Sequence, residues 1–80
     1  EATRMLIQAT RNPQKIDYNL SDRELEVLAL LTEGMNNPQI GEKLVISRST
    51  VKFHVSSILG KLGVSNRAEA VAIAVEHKLV

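Results

Sequence analysis

The chain has 80 residues, no cysteine, 44% hydrophobic and 24% charged residues, and a net charge of +1. This describes one small globular domain and excludes disulfide staples, cysteine-based zinc sites and a disordered chain. One Phe, one Tyr and no Trp leave an aliphatic core, and no apolar run approaches the roughly 18 residues of a membrane span. No signal-peptide pattern is present, and the lack of cysteine agrees with a reducing, cytoplasmic compartment.

In chain order, residues 1–11 (EATRMLIQATR) predict a short helix with Met5, Leu6 and Ile7 as its apolar part. Residues 12–19 (NPQKIDYN) predict a linker around Pro13. Residues 1–19 are therefore expected to form a short helix and linker, and residues 20–80 the folded domain. Ser21 and Glu24 have capping-box spacing, Leu20 stands ready to staple onto Leu25, and Asp22 suits the positive end of a helix. Leu25, Leu28, Ala29 and Thr32 recur at helical spacing, widened by Val27 and Leu31, and Gly34 supplies a stop. This predicts a helix over about Asp22–Glu33. Asn37-Pro38 reads as a cap and first residue of a short helix over about Pro38–Leu44, with Gly41 allowing a neighbouring helix to come close. Ser47 caps a third helix over about Arg48–Leu62, ended by Gly63. Asn66 and Glu69 open a fourth, running to about His77. The expected fold class is all-α, with short connections.

Charge is unevenly spread. Residues 17–42 set one base against six acids for a net −5, whereas 43–68 carry Lys43, Arg48, Lys52, Lys61 and Arg67 with no acid. An acid-free basic stretch beside an acidic one points to a polyanion partner; the alternative is a solvated basic surface.

The third helix is the most informative. At 100° per residue, Val51, Val55, Ile58, Leu59 and Leu62 form one buried stripe, while Lys52, Phe53, Ser56, Ser57 and Gly60 fall on the other side. That outer face has no acid and few long side chains, so another surface fits close against it. Phe53 points outward, where a thymine methyl group would suit it; the alternative is packing under the linker. The second and third helices, joined by a turn of about three residues, have the helix-turn-helix layout. The later helix begins with Ser47, Arg48, Ser49 and Thr50, whose hydroxyls, N–H groups and positive dipole end favour phosphate.

The segments LSDRELEVLALLTEG and NNPQIGEKLVISRSTVKFHVSSILGKLGVSNRAEAV, in that order and spacing, resemble the LuxR-type helix-turn-helix of the LuxR/FixJ/NarL family of bacterial transcription regulators. The match covers about residues 19–77. Gly41 stands where the family more often has Ala, and Pro38 and Ser57 replace commoner polar residues. The resemblance implies a four-helix domain that binds double-stranded DNA with its third helix in the major groove, as a homodimer on paired half-sites, with RNA polymerase as a further partner. It also implies an upstream sensory domain, to which residues 1–19 would be the linker helix and tether, either the receiver of a two-component response regulator, which is favoured, or a ligand-sensing module.

The expected base contacts are Lys52, to guanine O6/N7, Phe53 and Ser56. The expected phosphate contacts are Ser47, Arg48, Ser49, Thr50, His54 and Lys61. For His54 the alternative is a partly buried structural histidine. No metal site is expected there, because His77 is the only other histidine. Arg67 is expected to pair with a carboxylate of the first long helix, and the cap explains Glu24. The fourth helix is apolar over most of its circumference, which calls for two partners. Val71 and Val75 are assigned to the dimer interface, the alternative being burial within one copy.

Two other functions compete with this reading. A protein-interaction module would dock an acidic partner on the basic helix, but its small-residue outer face favours DNA. An enzyme lacks support: no nucleophile–base pair or metal cluster is visible, and Gly60-Lys61-Leu62-Gly63 lacks phosphate-loop spacing. No cofactor and no small-molecule ligand are expected.

Overall fold

The computed structural model describes residues 18–80; the expected helix over 1–11 and most of the linker lie outside the described residues. The described residues form helices α1 (Asp22–Thr32), α2 (Asn37–Leu44), α3 (Arg48–Leu62) and α4 (Arg67–Glu76), with no strand among them. Helix α1 packs on α3 and α4, α2 packs on α3, and α3 packs on α4. None of these helices is long and apolar enough to cross a membrane.

Each helix starts where a side chain takes up an otherwise unpaired N–H. Ser21 and Glu24 form the expected reciprocal box on α1: the Glu24 N–H donates to Ser21 Oγ at 3.1 Å and the Ser21 N–H to Glu24 Oε1 at 2.8 Å. Ser47 caps α3 as expected, accepting from the Thr50 N–H. Helix α2 differs by one residue. Its cap is Asn36, not Asn37, because Asn36 and Gln39 bond reciprocally at 2.9 Å, and the residue three after Asn37 is Ile40. On α4, Asn66 accepts from the Glu69 N–H, but the Glu69 carboxylate takes the Ser65 N–H, so the box closes one residue early.

The core is aliphatic. Val27 and Leu28 of α1, Ile40 of α2, Val51 and Ile58 of α3, and Ala70 and Ala74 of α4 are fully buried. The stripe read on α3 holds, with Val51, Val55, Ile58 and Leu62 buried and Leu59 partly so. The stripe on α1 is rotated from its expected position. Its buried residues are Glu24, Val27, Leu28, Leu30 and Leu31, while Leu25 and Ala29 are only half-buried. A buried carboxylate heads this face, and a search for apolar periodicity passes over it. Packing also begins earlier than the linker reading expected: Tyr18 rests against the core and meets the His77 ring edge-on at 6.4 Å.

The turn between α2 and α3 is tight. A Cβ built on Gly41 would lie 2.7 Å from the Ile46 carbonyl oxygen and 3.6 Å from Val51 Cγ2. The closest neighbour is thus the turn backbone, with α3 just behind it. To make this turn, Val45 adopts the left-handed conformation, with φ 59° and ψ 50°, and the Ile46 N–H reaches back to the Gly41 carbonyl at 2.9 Å. Gly63 holds the same position after α3, and after α1 the left-handed residue is Gly34, one place further on. A β-branched residue is costly there, and the Val45 side chain recovers little by burial because it is 88% exposed. Val45→Gly is therefore expected to stabilise the domain by about 1 kcal/mol, the relief of left-handed strain exceeding the added chain entropy. Thermal melting should shift upward by about 4–8 °C; an unchanged or lower midpoint would show that the turn holds no such strain.

Candidate nucleic-acid interface

Helix α3 crosses the domain with its apolar stripe inward and its other face open. Lys52 and Ser56, one turn apart, are exposed, and Phe53 is 69% exposed. Its ring meets that of its neighbour His54 at 5.8 Å and 65°, and the alternative of packing under the linker falls mostly outside the described residues. His54 is half-buried on the flank of this face. Ser47, Arg48 and Ser49 are exposed around the N-terminus of α3, with Thr50 half-buried beside them. The Ser47 and Thr50 hydroxyls lie 2.9 Å apart, so the cap orders both. The N–H groups of Arg48 and Ser49 have no intrahelical acceptor and point out of the helix end. The site is thus a row of short and cationic side chains ending at a positive dipole.

The structure separates Lys61 from the other residues expected to meet phosphate. Its ammonium is turned into the domain, donating to Glu24 Oε1 at 2.8 Å and to the Asn19 carbonyl at 3.0 Å. Ser57, read from the helical wheel as part of the outer face, belongs to the same network: it is half-buried and its hydroxyl donates to Glu24 Oε2. The Lys61 ammonium and the Ser57 hydroxyl, with the Ser21 N–H, lower the Glu24 carboxyl from 4.5 to about 2, while burial works the other way. Glu24 therefore does more than cap α1. The available signal was the i, i+4 placement of Ser57 and Lys61 on α3, opposite an acid in phase with Val27, Leu28 and Leu31. Arg67 also departs from expectation. It donates to Asn37 Oδ1 at 2.6 Å, linking the start of α4 to the start of α2, and not to a carboxylate of α1.

On α4, Ala70 and Ala74 face the core, Val71 is half-buried against it, and Val75 is 63% exposed. Among the described residues no group of three or more His, Cys, Asp or Glu side chains is placed to hold a metal ion.

Fold and face together define a helix-turn-helix DNA-binding domain: α2 and α3 meet across a tight turn, and α3 offers an acid-free outer surface. Residues 18–74 match the family described as GerE, bacterial regulatory proteins, luxR family, and the chain belongs to that family. It is 48% identical over 62 residues to the transcriptional regulatory protein LiaR of Bacillus subtilis, covering 78% of this chain and 29% of LiaR. It is 44% identical over 71 residues to the oxygen regulatory protein NreC of Staphylococcus aureus, covering 89% of this chain and 31% of NreC. Among solved structures it resembles the response regulator ChrA of a heme-sensing two-component system, with a TM-score of 0.74 and 40% identity over 98% of this chain and 37% of ChrA. The chain thus spans about a third or less of the length of these relatives. Its role as a DNA-binding domain for transcription regulation follows from the family.

Proposed function

We propose that the chain is the effector domain of a two-component response regulator, reading double-stranded DNA with α3 laid in the major groove. The observation that carries this reading is the outer face of α3, where Lys52, Phe53 and Ser56 stand exposed on a helix with no acidic residue. Lys52 donates to guanine O6 and N7, Phe53 lies against a thymine methyl group, and Ser56 bonds the next base edge. Ser47, Arg48, Ser49 and Thr50 take one phosphate at the helix start, and His54 takes another on the flank. Lys61 is left out of this set because its ammonium is held by Glu24 and the Asn19 carbonyl. One recognition helix touches too few base pairs to select a site from a genome, so two copies bind adjacent half-sites, meeting through Val71 and Val75. Residues 1–19 tether this unit to an upstream receiver, and the bound dimer acts on RNA polymerase in the cytoplasm. The likeness to ChrA, a response regulator of a two-component system, supports a receiver over a ligand-sensing module.

The test is a salt titration of duplex binding combined with substitution. Log K should fall linearly with log salt, by about 0.9 for each phosphate neutralised. Lys52→Ala should lose about 1–3 kcal/mol and relax preference at one base position, whereas Arg48→Ala should weaken all sequences alike and reduce the salt slope by about one. A response flat in salt would reject phosphate contact and favour a protein partner. Unchanged base preference for Lys52→Ala would remove it as a reading residue.

A further inference from the structure

The proposed interface leaves one buried polar cluster without a function. Glu24 is 5% exposed, yet its carboxylate holds three parts of the chain together. Oε1 accepts from the Ser21 N–H at the start of α1 and from Lys61 Nζ, and Oε2 accepts from Ser57 Oγ. Lys61 Nζ also reaches the Asn19 carbonyl, where the chain arrives at the domain. Ser57 and Lys61 lie one turn apart on α3, so the carboxylate grips the second half of that helix at two points.

Among the described residues, the rest of the seating of α3 is apolar. Val51, Val55, Ile58 and Leu62 hold the helix against the core by contacts that are not directional. Such contacts resist separation but tolerate small rotations about the helix axis. Hydrogen bonds to a buried, ionised carboxylate are directional and stronger than neutral ones. Ser57 follows Ser56 directly and lies on the turn after Phe53, so any rotation permitted at Ser57 is passed to the reading face. We infer that Glu24, Ser57 and Lys61 are positioning residues for DNA recognition, fixing the rotation of α3 and thereby which base edges Lys52, Phe53 and Ser56 meet. This rests on the assignment of α3 to the major groove.

Ser57→Ala and Lys61→Met remove the two grips from α3 while keeping its apolar seat. Each 80-residue variant is compared with the parent on two duplexes, one recovered by binding-site selection with the parent and one of random sequence. Measurements are made well below the melting temperature of each protein. The ratio of specific to random affinity should fall between about 2-fold and 30-fold in both variants, the range for loss of a link in a coupled network. The salt slope should not change, since neither side chain touches phosphate. Lys61→Arg, which keeps a donor for both Glu24 and the Asn19 carbonyl, should recover part of the ratio. An unchanged ratio in folded Ser57→Ala, the smallest of these changes, would overturn the inference and leave the cluster as a support of the fold alone. A salt slope reduced by about one in Lys61→Met, with equal loss on both duplexes, would make Lys61 a phosphate contact and overturn it likewise. A parent with no sequence preference would instead bring down the assignment of α3 to the groove, and the positioning role with it.

Discussion

Glu24→Ala is expected to lose about 2–4 kcal/mol of stability at pH 7, and much of that difference should disappear at pH 2. The substitution removes the carboxylate that satisfies the Ser21 N–H, the Ser57 hydroxyl and the Lys61 ammonium together. Removing one partner of a fully buried ion pair costs about 3–5 kcal/mol. The lower figure applies here because the Lys61 side chain is 34% exposed and its ammonium recovers some hydration. The pH dependence follows from the carboxyl of Glu24, which is lowered from 4.5 to about 2 in the folded state. A depressed carboxyl favours the folded state wherever it is ionised. Its contribution is complete above about pH 4.5 and is lost as pH falls toward 2. The parent should therefore lose about 2–3 kcal/mol through this window that the variant does not lose. Other carboxyls titrate in both proteins and cancel in the comparison. Urea unfolding of parent and variant at a series of pH values between 7 and 2 measures the difference directly. A difference constant with pH would mean that the cap and packing, and not the charge, account for the role of Glu24.

Glu24 also shows where the sequence was legible and where it was not. All four helices of the domain could be read, because each has a local start signal and two, α1 and α3, have a glycine just past the end. The stripe of α3 could be read because it is purely apolar. The face of α1 was misplaced by the width of one residue, because a polar side chain sits at its head and its partners lie 33 and 37 residues away. No local pattern carries a contact of that separation. For the same reason Lys61 looked like a free cation and Ser57 like a surface residue. The cap of α2 failed differently. Asn36 and Asn37 are both good caps, and only the reciprocal bond to Gln39 decides between them, leaving Asn37 to Arg67 of α4. The exposed outer face of α3 was legible for a simple reason. Phe53 lies out of phase with every apolar neighbour on α3, and tertiary packing had no way to turn it inward.

Val75→Glu is expected to leave the melting temperature of the isolated domain almost unchanged while cooperative binding to paired half-sites falls on the order of 10–100-fold. Val75 is 63% exposed, so a polar substitution removes little buried surface, and changes at such positions usually fall within about 0.5 kcal/mol. Val71, one turn earlier, is half-buried against the core and offers the remaining part of the same patch. Ala70 and Ala74 already fill the inner side of α4 with Val71 partly packed beside them, so Val75 is surplus to the monomer's packing. A two-fold pair places the same patch on both copies, which makes each valine count twice. Burying the exposed part of two such side chains contributes about 2 kcal/mol, enough to act between copies held side by side on DNA and too little for a stable dimer in solution. In the variant the two introduced carboxylates would face one another across the axis, adding repulsion to the lost contact. A gel shift on a duplex with two selected half-sites reads the cooperativity, and circular dichroism reads the melt. Retained cooperativity would remove Val75 from the interface. A large drop in melting temperature would place its side chain in the core of a single copy, against the exposure seen here.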